Sequence, residues 1–251
     1  MNERKYIVLQ GPPGTGKTRT AKNVAEKIKA KTFFTQFHAE TSFSDFIYGI
    51  RPDLKNKELS YKECLGSFTE ALKYAMENVN EKVILIIDEI NRANLSNVLG
   101  PIFYLFEHKM DISNVEIEIF PEFKINKLPV NFFVIATMNT ADRSLAVVDF
   151  ALRRRFAWYS LKPKVISSKQ FYKDDFSKIQ EIFDWYASSN ELTLQPGQGY
   201  FIADNEDEMK NRIRYEIFPL IKEYLQEGLI KDAKEEFNNY FATRINQSLF
   251  E

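Results

Sequence analysis

Eight consecutive residues, GPPGTGKT at positions 11–18, have the composition of a loop built to hold phosphate. Gly11, Gly14 and Gly16 let the backbone curl so that its N–H groups face phosphate oxygens, and a helix beginning at the end of the loop adds the partial positive charge of its N-terminus. Pro12, Pro13, Gly14 and Thr15 fill the variable positions of G-x-x-x-x-G-K-[ST]. Lys17 is the residue expected to reach the β- and γ-phosphates, and Thr18 the one whose hydroxyl ligates Mg²⁺. Arg19 follows directly and joins the nucleotide-binding candidates. The bland alternative is a tight Gly-Pro turn with an exposed lysine. The context argues against it, because an apolar run precedes the loop and a helical pattern follows it.

Two further segments bring polar residues to the ends of apolar runs. Five apolar residues, 83–87, lead into Asp88 and Glu89, so a buried strand would deliver two carboxylates to the edge of a sheet where α/β ligands bind. Asp88 would hold Mg²⁺ through water, and Glu89 would orient and deprotonate an attacking water. Two solvated turn acids are the simpler reading of the pair taken alone. Residues 132–136 end in TMNT, which sets Asn139 at the same edge. A neutral amide there can position the water without neutralising the acid that activates it; the alternative is a cap for the next helix or turn. Asp142, Arg143, Ser144 and Asp149 come next, then Arg153, Arg154 and Arg155. Three consecutive arginines cannot all be buried in a monomer. They form either a solvated basic edge or groups that cross to a neighbouring subunit and stabilise charge on its γ-phosphate, an effect of roughly 10³–10⁵ in rate where such fingers operate.

The elements that must position these residues read as alternating strands and helices. Short β-branched or aromatic runs at 6–9, 33–37, 83–87, 132–136 and 156–161 predict five buried strands, and helical patterns at 18–29, 67–78 and 95–106 lie between them. That alternation predicts an α/β core with a parallel five-stranded sheet flanked by helices. Residues 115–128 alternate around Pro121 and predict an inserted hairpin; a second insertion spans 48–64, where Pro52, Asp53 and the charged KNKE interrupt the core pattern. After Pro163 the pattern becomes amphipathic and helical, at 176–187, 208–226 with a kink or start at Pro219, and 230–247. The expected division is a nucleotide-binding core at 1–162 and a small helical lid at 163–251.

Composition sets the outer bounds. A hydrophobic share of 44%, with 22 Phe and 12 Tyr in 251 residues, supplies a sizeable core. Lys plus Arg, 34, against Asp plus Glu, 35, leaves a net charge of -1, so any attraction to nucleic acid must be local or come from another domain. A lone Cys64, no signal-peptide pattern and no long apolar run fit a soluble cytoplasmic protein without membrane partners. His38 and His108 stand apart from other metal-binding residues, so zinc is not expected.

Taken together, residues 11–18, IDEINRAN at 87–94, MNTADRSLAVVD at 138–149 and ALRRRF at 151–156 resemble the McrB family of AAA+ proteins, with MNTADRS the most distinctive block. The resemblance runs from about residue 7 through 161, and GQGYF at 197–201 with EIFPLIKEY at 216–224 is similar to that family's lid. It implies an AAA+ P-loop fold and a GTP-hydrolysing motor that forms hexameric rings, recruits a McrC-like endonuclease and serves restriction of modified DNA. It also implies roles: Lys17 and Thr18 for GTP (or ATP) and Mg²⁺, Asp88 and Glu89 for metal and water, Asn139 as water-positioning sensor, Arg154 and Arg155 as trans-acting fingers, and Arg92 and Arg143 at the interface or nucleotide. About ten residues precede the loop, so DNA would be engaged by the assembly, another chain or a missing N-terminal domain. Two other readings are a MoxR-like ATP-driven remodelling chaperone, disfavoured by the lack of a Ser-Pro-Arg sensor in the lid, and a nucleotide-gated scaffold with negligible turnover.

Overall fold

A computed structural model of the chain describes residues 4–53, 60–107, 116–141 and 150–250. The chain divides into two compact units: one runs to Gln10 and from Thr18 to Tyr159, and the other comprises Gly11–Lys17 with Ser160–Glu251.

The first unit is organised by a five-stranded sheet. In chain order its described elements are β1 (Tyr6–Gly11), α1 (Lys17–Lys27), β2 (Lys31–Gln36), α2 (Phe43–Phe46), β3 (Tyr48–Pro52), β4 (Tyr61–Leu65), α3 (Ser67–Glu77), β5 (Val83–Asp88), α4 (Leu95–Leu99), β6 (Ile117–Phe120), β7 (Phe123–Ile125), β8 (Phe132–Asn139), α5 (Phe150–Arg155) and β9 (Ala157–Ser160). The sheet order is β2-β5-β8-β1-β9. The expected parallel α/β sheet is therefore present, with β2 against β5 and β5 against β8 in parallel register. Val83–Ile87 is almost wholly excluded from solvent, which is why β5 reads as an unbroken apolar run rather than an alternating one: both faces are covered. On one side α3 buries Phe68, Ala71, Leu72 and Ala75, an i, i+3, i+4, i+7 stripe. Register then matters for function. Ile87 pairs with Ala136, so Asp88 and Glu89 leave β5 beside Thr137, Met138 and Asn139 of β8.

Two departures from the sequence reading have local causes. The helix expected over 95–106 stops at Leu99, and residues Gly100–Phe106 continue as 3₁₀ turns. Gly100 sits at φ +43 and Pro101 has no N–H to extend the ladder. The insertion at 48–64 contains an antiparallel hairpin, β3 with β4. Its strands are short and mostly exposed, so no apolar stripe announced them. The hairpin expected at 115–128 is present as β6 and β7.

The second unit is helical from α6 (Lys173–Tyr186) through α7 (Glu206–Arg212), α8 (Phe218–Gln226) and α9 (Lys234–Ile245). Phe176, Ile179, Phe183, Phe201, Ile213, Phe237 and Phe241 form its interior. Between α7 and α8 lies a π-turn, Ile213–Ile217, with Pro219 the second residue of α8 just beyond it; the wider turn accommodates a residue that cannot donate. Asp175, 6% exposed, is compensated by the Tyr240 hydroxyl at 2.9 Å and by two Arg244 nitrogens at 2.8 and 2.9 Å. Burial and that carboxylate hold the Tyr240 phenol well above its ordinary value, and the two hydrogen-bonded acids Asp175 and Glu206 raise Arg244 further. Among the described residues no helix is long and apolar enough to cross a membrane.

Candidate functional site

Within the second unit the loop has the backbone its glycines predict: Gly14 and Gly16 lie at φ +79 and +78, a region that side chains rarely adopt. Lys17, 6% exposed, folds its ammonium onto the carbonyls of Gly11 and Pro12 at 3.0 and 2.9 Å. The Thr15 hydroxyl donates to the Pro12 carbonyl at 2.8 Å. Arg19, on α1, is exposed.

Within the first unit, polar side chains converge where β5 and β8 end. The Thr18 hydroxyl donates to Asp88 Oδ1 at 2.6 Å, and the Thr137 hydroxyl donates to the same oxygen at 2.7 Å. Thr137 is 1% exposed and also accepts the Glu89 N–H at 3.1 Å, so one hydroxyl ties both acids together. Glu89 itself has φ +55, the left-handed region, which turns its side chain out of the strand line. Its Oε1 accepts from Asn139 Nδ2 at 2.5 Å. Arg92 Nε lies 3.7 Å from Glu89 Oε2 with its own side chain half exposed, a weak pairing. Asn91, 4% exposed, donates to the Asn139 carbonyl at 3.4 Å, while its buried Oδ1 has no hydrogen-bond partner among the described residues.

Thr18, Asp88, Glu89 and Asn139, separated by up to 121 positions in sequence, are thus one cluster. A hydroxyl and a carboxylate are the hard oxygen donors that suit Mg²⁺, which usually takes one or two protein oxygens and completes its shell with water and phosphate. The amide on Glu89 is neutral, so it orients the carboxylate without protonating it. Thr137 and Asn91 escaped the sequence reading. A single threonine near the end of a strand and a single amide in a turn carry no spacing that marks them.

The three arginines separate by environment. Arg153 is exposed, its guanidinium 5.0 Å above the Trp158 ring. Arg154 and Arg155 both pair with Glu107, Arg154 at 2.6 Å. The Arg154 side chain is 66% exposed. Arg155, 3% exposed, lies 4.0 Å over the Phe103 ring. The shared expectation of two fingers reaching a neighbour therefore meets an asymmetry: Arg155 is packed inside its own unit, and Arg154 faces solvent. Glu107 carried no signal in the sequence, standing 47 positions from Arg154. Asp142, Arg143, Ser144, Asp149 and His108 lie outside the described residues. Cys64 is half-buried on β4 and His38 is exposed; among the described residues no group of three or more His, Cys, Asp or Glu side chains is placed to hold a metal.

Residues 6–156 match the family described as AAA domain (dynein-related subfamily). The chain is 34% identical to the type IV methyl-directed restriction enzyme EcoKMcrB subunit of Escherichia coli K12, over 92% of this chain and 56% of that protein. It is 29% identical to the type II restriction enzyme BsuMI component YdiS of Bacillus subtilis 168, over 62% of this chain and 56% of that protein. The chain thus spans about half the length of the curated relatives it matches. A crystal structure of an ATPase candidate from Cytophaga hutchinsonii is similar with a TM-score of 0.42 and 15% identity, over 82% of this chain and 52% of that one.

Proposed function

Because the chain belongs to the dynein-related subfamily of AAA domains, we propose that it is the nucleoside-triphosphate-hydrolysing motor part of a McrB-type, modification-dependent restriction system, with GTP as the preferred nucleotide. The observation that carries the reading is the cluster Thr18–Asp88–Thr137 with Glu89–Asn139, which joins a metal-suited oxygen pair to a carboxylate oriented by a neutral amide. Likeness to a methyl-directed restriction subunit and to a restriction-enzyme component supports the system. In this reading residues 1–162 form the core and 163–251 the lid. The protein works in the cytoplasm as a homo-oligomeric ring, a hexamer, with a McrC-like endonuclease, and DNA is engaged by the assembly.

The residues act as follows. The loop residues Gly11, Pro12, Pro13, Gly14, Thr15 and Gly16 wrap the phosphates, and Lys17 leaves its carbonyl partners to meet the β- and γ-oxygens. Thr18 and Asp88 would hold Mg²⁺, which would supply positive charge to offset that of the phosphates. Glu89 takes a proton from the attacking water as its oxygen bonds to the γ-phosphorus and the bond to the bridging oxygen breaks; Asn139 fixes the direction in which Glu89 points. Arg154 of one subunit approaches the γ-phosphate of the next, and Arg155 holds its own helix in place through Glu107 and Phe103.

Steady-state hydrolysis of GTP and ATP, each with Mg²⁺, tests the reading alongside Glu89→Gln. GTP turnover stimulated by DNA and a McrC-like nuclease, and abolished in the variant with nucleotide binding retained, is expected. ATP preference with stimulation by an unfolded protein instead of DNA would move the chain to the MoxR-like remodellers. Unchanged turnover in Glu89→Gln would remove Glu89 as the base.

A further inference from the structure

The phosphate loop has five successive carbonyls, and each is engaged. Lys17 takes those of Gly11 and Pro12, and Thr15 shares the latter. The next three are held by one short segment of the same unit, the 3₁₀ turn Gln198–Phe201 and the glycine before it. Gly197 N–H donates to Pro13 O at 2.9 Å, Gly199 N–H to Gly14 O at 2.9 Å, and Gln198 Nε2 to Thr15 O at 2.9 Å. The contact is close enough to dictate residue type. A Cβ on Gly197 would stand 2.2 Å from the Gly14 carbonyl carbon, and one on Gly199 would stand 2.9 Å from Gly14 O. A Cβ on Gly14 would stand 2.7 Å from the Tyr200 ring. Gln198 is 8% exposed, and its other end is also fixed, Oε1 accepting the Lys164 N–H at 3.3 Å.

The consequence follows from peptide geometry. In a trans peptide the C=O and the N–H of one unit point in opposite directions, and no peptide in the described chain is cis. Anchoring the carbonyls of Pro13, Gly14 and Thr15 on one side therefore aims the N–H groups of Gly14, Thr15 and Gly16 to the other. Pro12 and Pro13 contribute no N–H, so after Gly11 these three amides are the next backbone N–H groups along the loop. Left-handed Gly14 and Gly16 are positions where a peptide plane could rotate cheaply, because glycine accepts either sign of φ. An external anchor is what stops it.

We propose that Gln198, with the backbone N–H groups of Gly197 and Gly199, is the positioning element of the phosphate site: it fixes the carbonyls of residues 13–15 so that the following amides are preorganised for the phosphates of a nucleoside triphosphate. This rests on the nucleotide-motor reading above. Gln198 touches no phosphate; it acts through Thr15 and Gly16, and it makes the lid segment a part of the nucleotide's binding affinity.

The test uses the full chain and two variants, Gln198→Ala and the near-isosteric Gln198→Glu, which keeps the acceptor toward Lys164 and removes the donor toward Thr15. Dissociation constants for GTP and ATP with Mg²⁺ are measured directly, KM and turnover in steady state, and melting temperature with and without nucleotide. Loss of one preorganising hydrogen bond predicts a rise of about tenfold in Kd, the equivalent of roughly 1.4 kcal/mol, with KM rising in step, turnover at saturation falling less, and a smaller nucleotide-induced rise in melting temperature. If Gln198→Ala fails to fold, Gln198→Glu carries the comparison. Kd within twofold of wild type in both variants, or a melting loss equal with and without nucleotide, would overturn the positioning role. Failure of the wild-type chain to bind either nucleotide would instead strike the motor reading, so the two failures are distinguishable.

Discussion

Thr137→Val removes a hydroxyl that links the two acids while preserving side-chain shape. The Thr137 hydroxyl donates to Asp88 Oδ1 at 2.7 Å and accepts from Glu89 N–H at 3.1 Å, at a site 1% exposed. A hydrogen bond to a charged acceptor contributes about 1.5–3 kcal/mol, and a buried N–H left unpaired costs about 1–3 kcal/mol. The valine methyl returns roughly 0.8 kcal/mol by burial, so the net loss of stability comes to about 2–4 kcal/mol after non-additivity. At about 2–4 °C per kcal/mol for a chain of this size, melting should fall by roughly 5–15 °C. Turnover should fall further than stability explains, because Asp88 and Glu89 lose their shared reference point; displacements of this kind cost about 10–100-fold. The assay is phosphate release at saturating nucleotide, well below the melting temperature, paired with Thr137→Ser. Serine keeps both hydrogen bonds and should hold turnover within about threefold, at roughly 1 kcal/mol for the lost methyl. A folded valine variant with wild-type turnover would refute the link between the hydroxyl and the alignment of the acids.

Arg154→Ala should reduce hydrolysis strongly and leave melting almost unchanged, since its ion pair is 66% exposed on the arginine side. Arg155→Ala should instead unfold the first unit earlier, by about 3 kcal/mol in denaturant titration, because it strips a buried guanidinium from Glu107 and Phe103; equal melting for the two variants would contradict the assigned division. Mixing Lys17→Ala with Arg154→Ala subunits should recover part of the activity if Arg154 acts across an interface, and no recovery at ring-forming concentrations would place it in cis. Asn131→Ala should cost about 2–3 kcal/mol without changing KM, because its amide nitrogen serves the carbonyls of Ala75, Asn78 and Glu81, closing the far end of the sheet from the acids.

The local signals were strong where chemistry demands adjacency in sequence. Residues 11–18 announced a phosphate loop because three glycines, a lysine and a hydroxyl must follow one another for a backbone to curl, and Asp88 and Glu89 were visible because an apolar run delivered them. The parallel sheet was legible for the same reason: a strand covered on both faces has no choice but to be apolar throughout. Weak signals belonged to short exposed strands, as in β3 and β4, and to the helix interrupted at Gly100.

What the sequence by itself determined is the inventory: the arginine run, the α/β alternation, and the loop, the two acids and Asn139, each at the end of a strand. Tertiary structure alone decided the pairings. Parallel register set Thr137 between Asp88 and Glu89 across 49 and 48 positions. Burial divided the arginines: both reach Glu107, but Arg155 does so from the interior and Arg154 from the solvent side. Folding also brought Gln198 across 183 positions to the Thr15 carbonyl. None of these has a spacing to read, because a hydrogen bond needs only that two chains arrive at the same place, and sequence distance does not record where a fold returns.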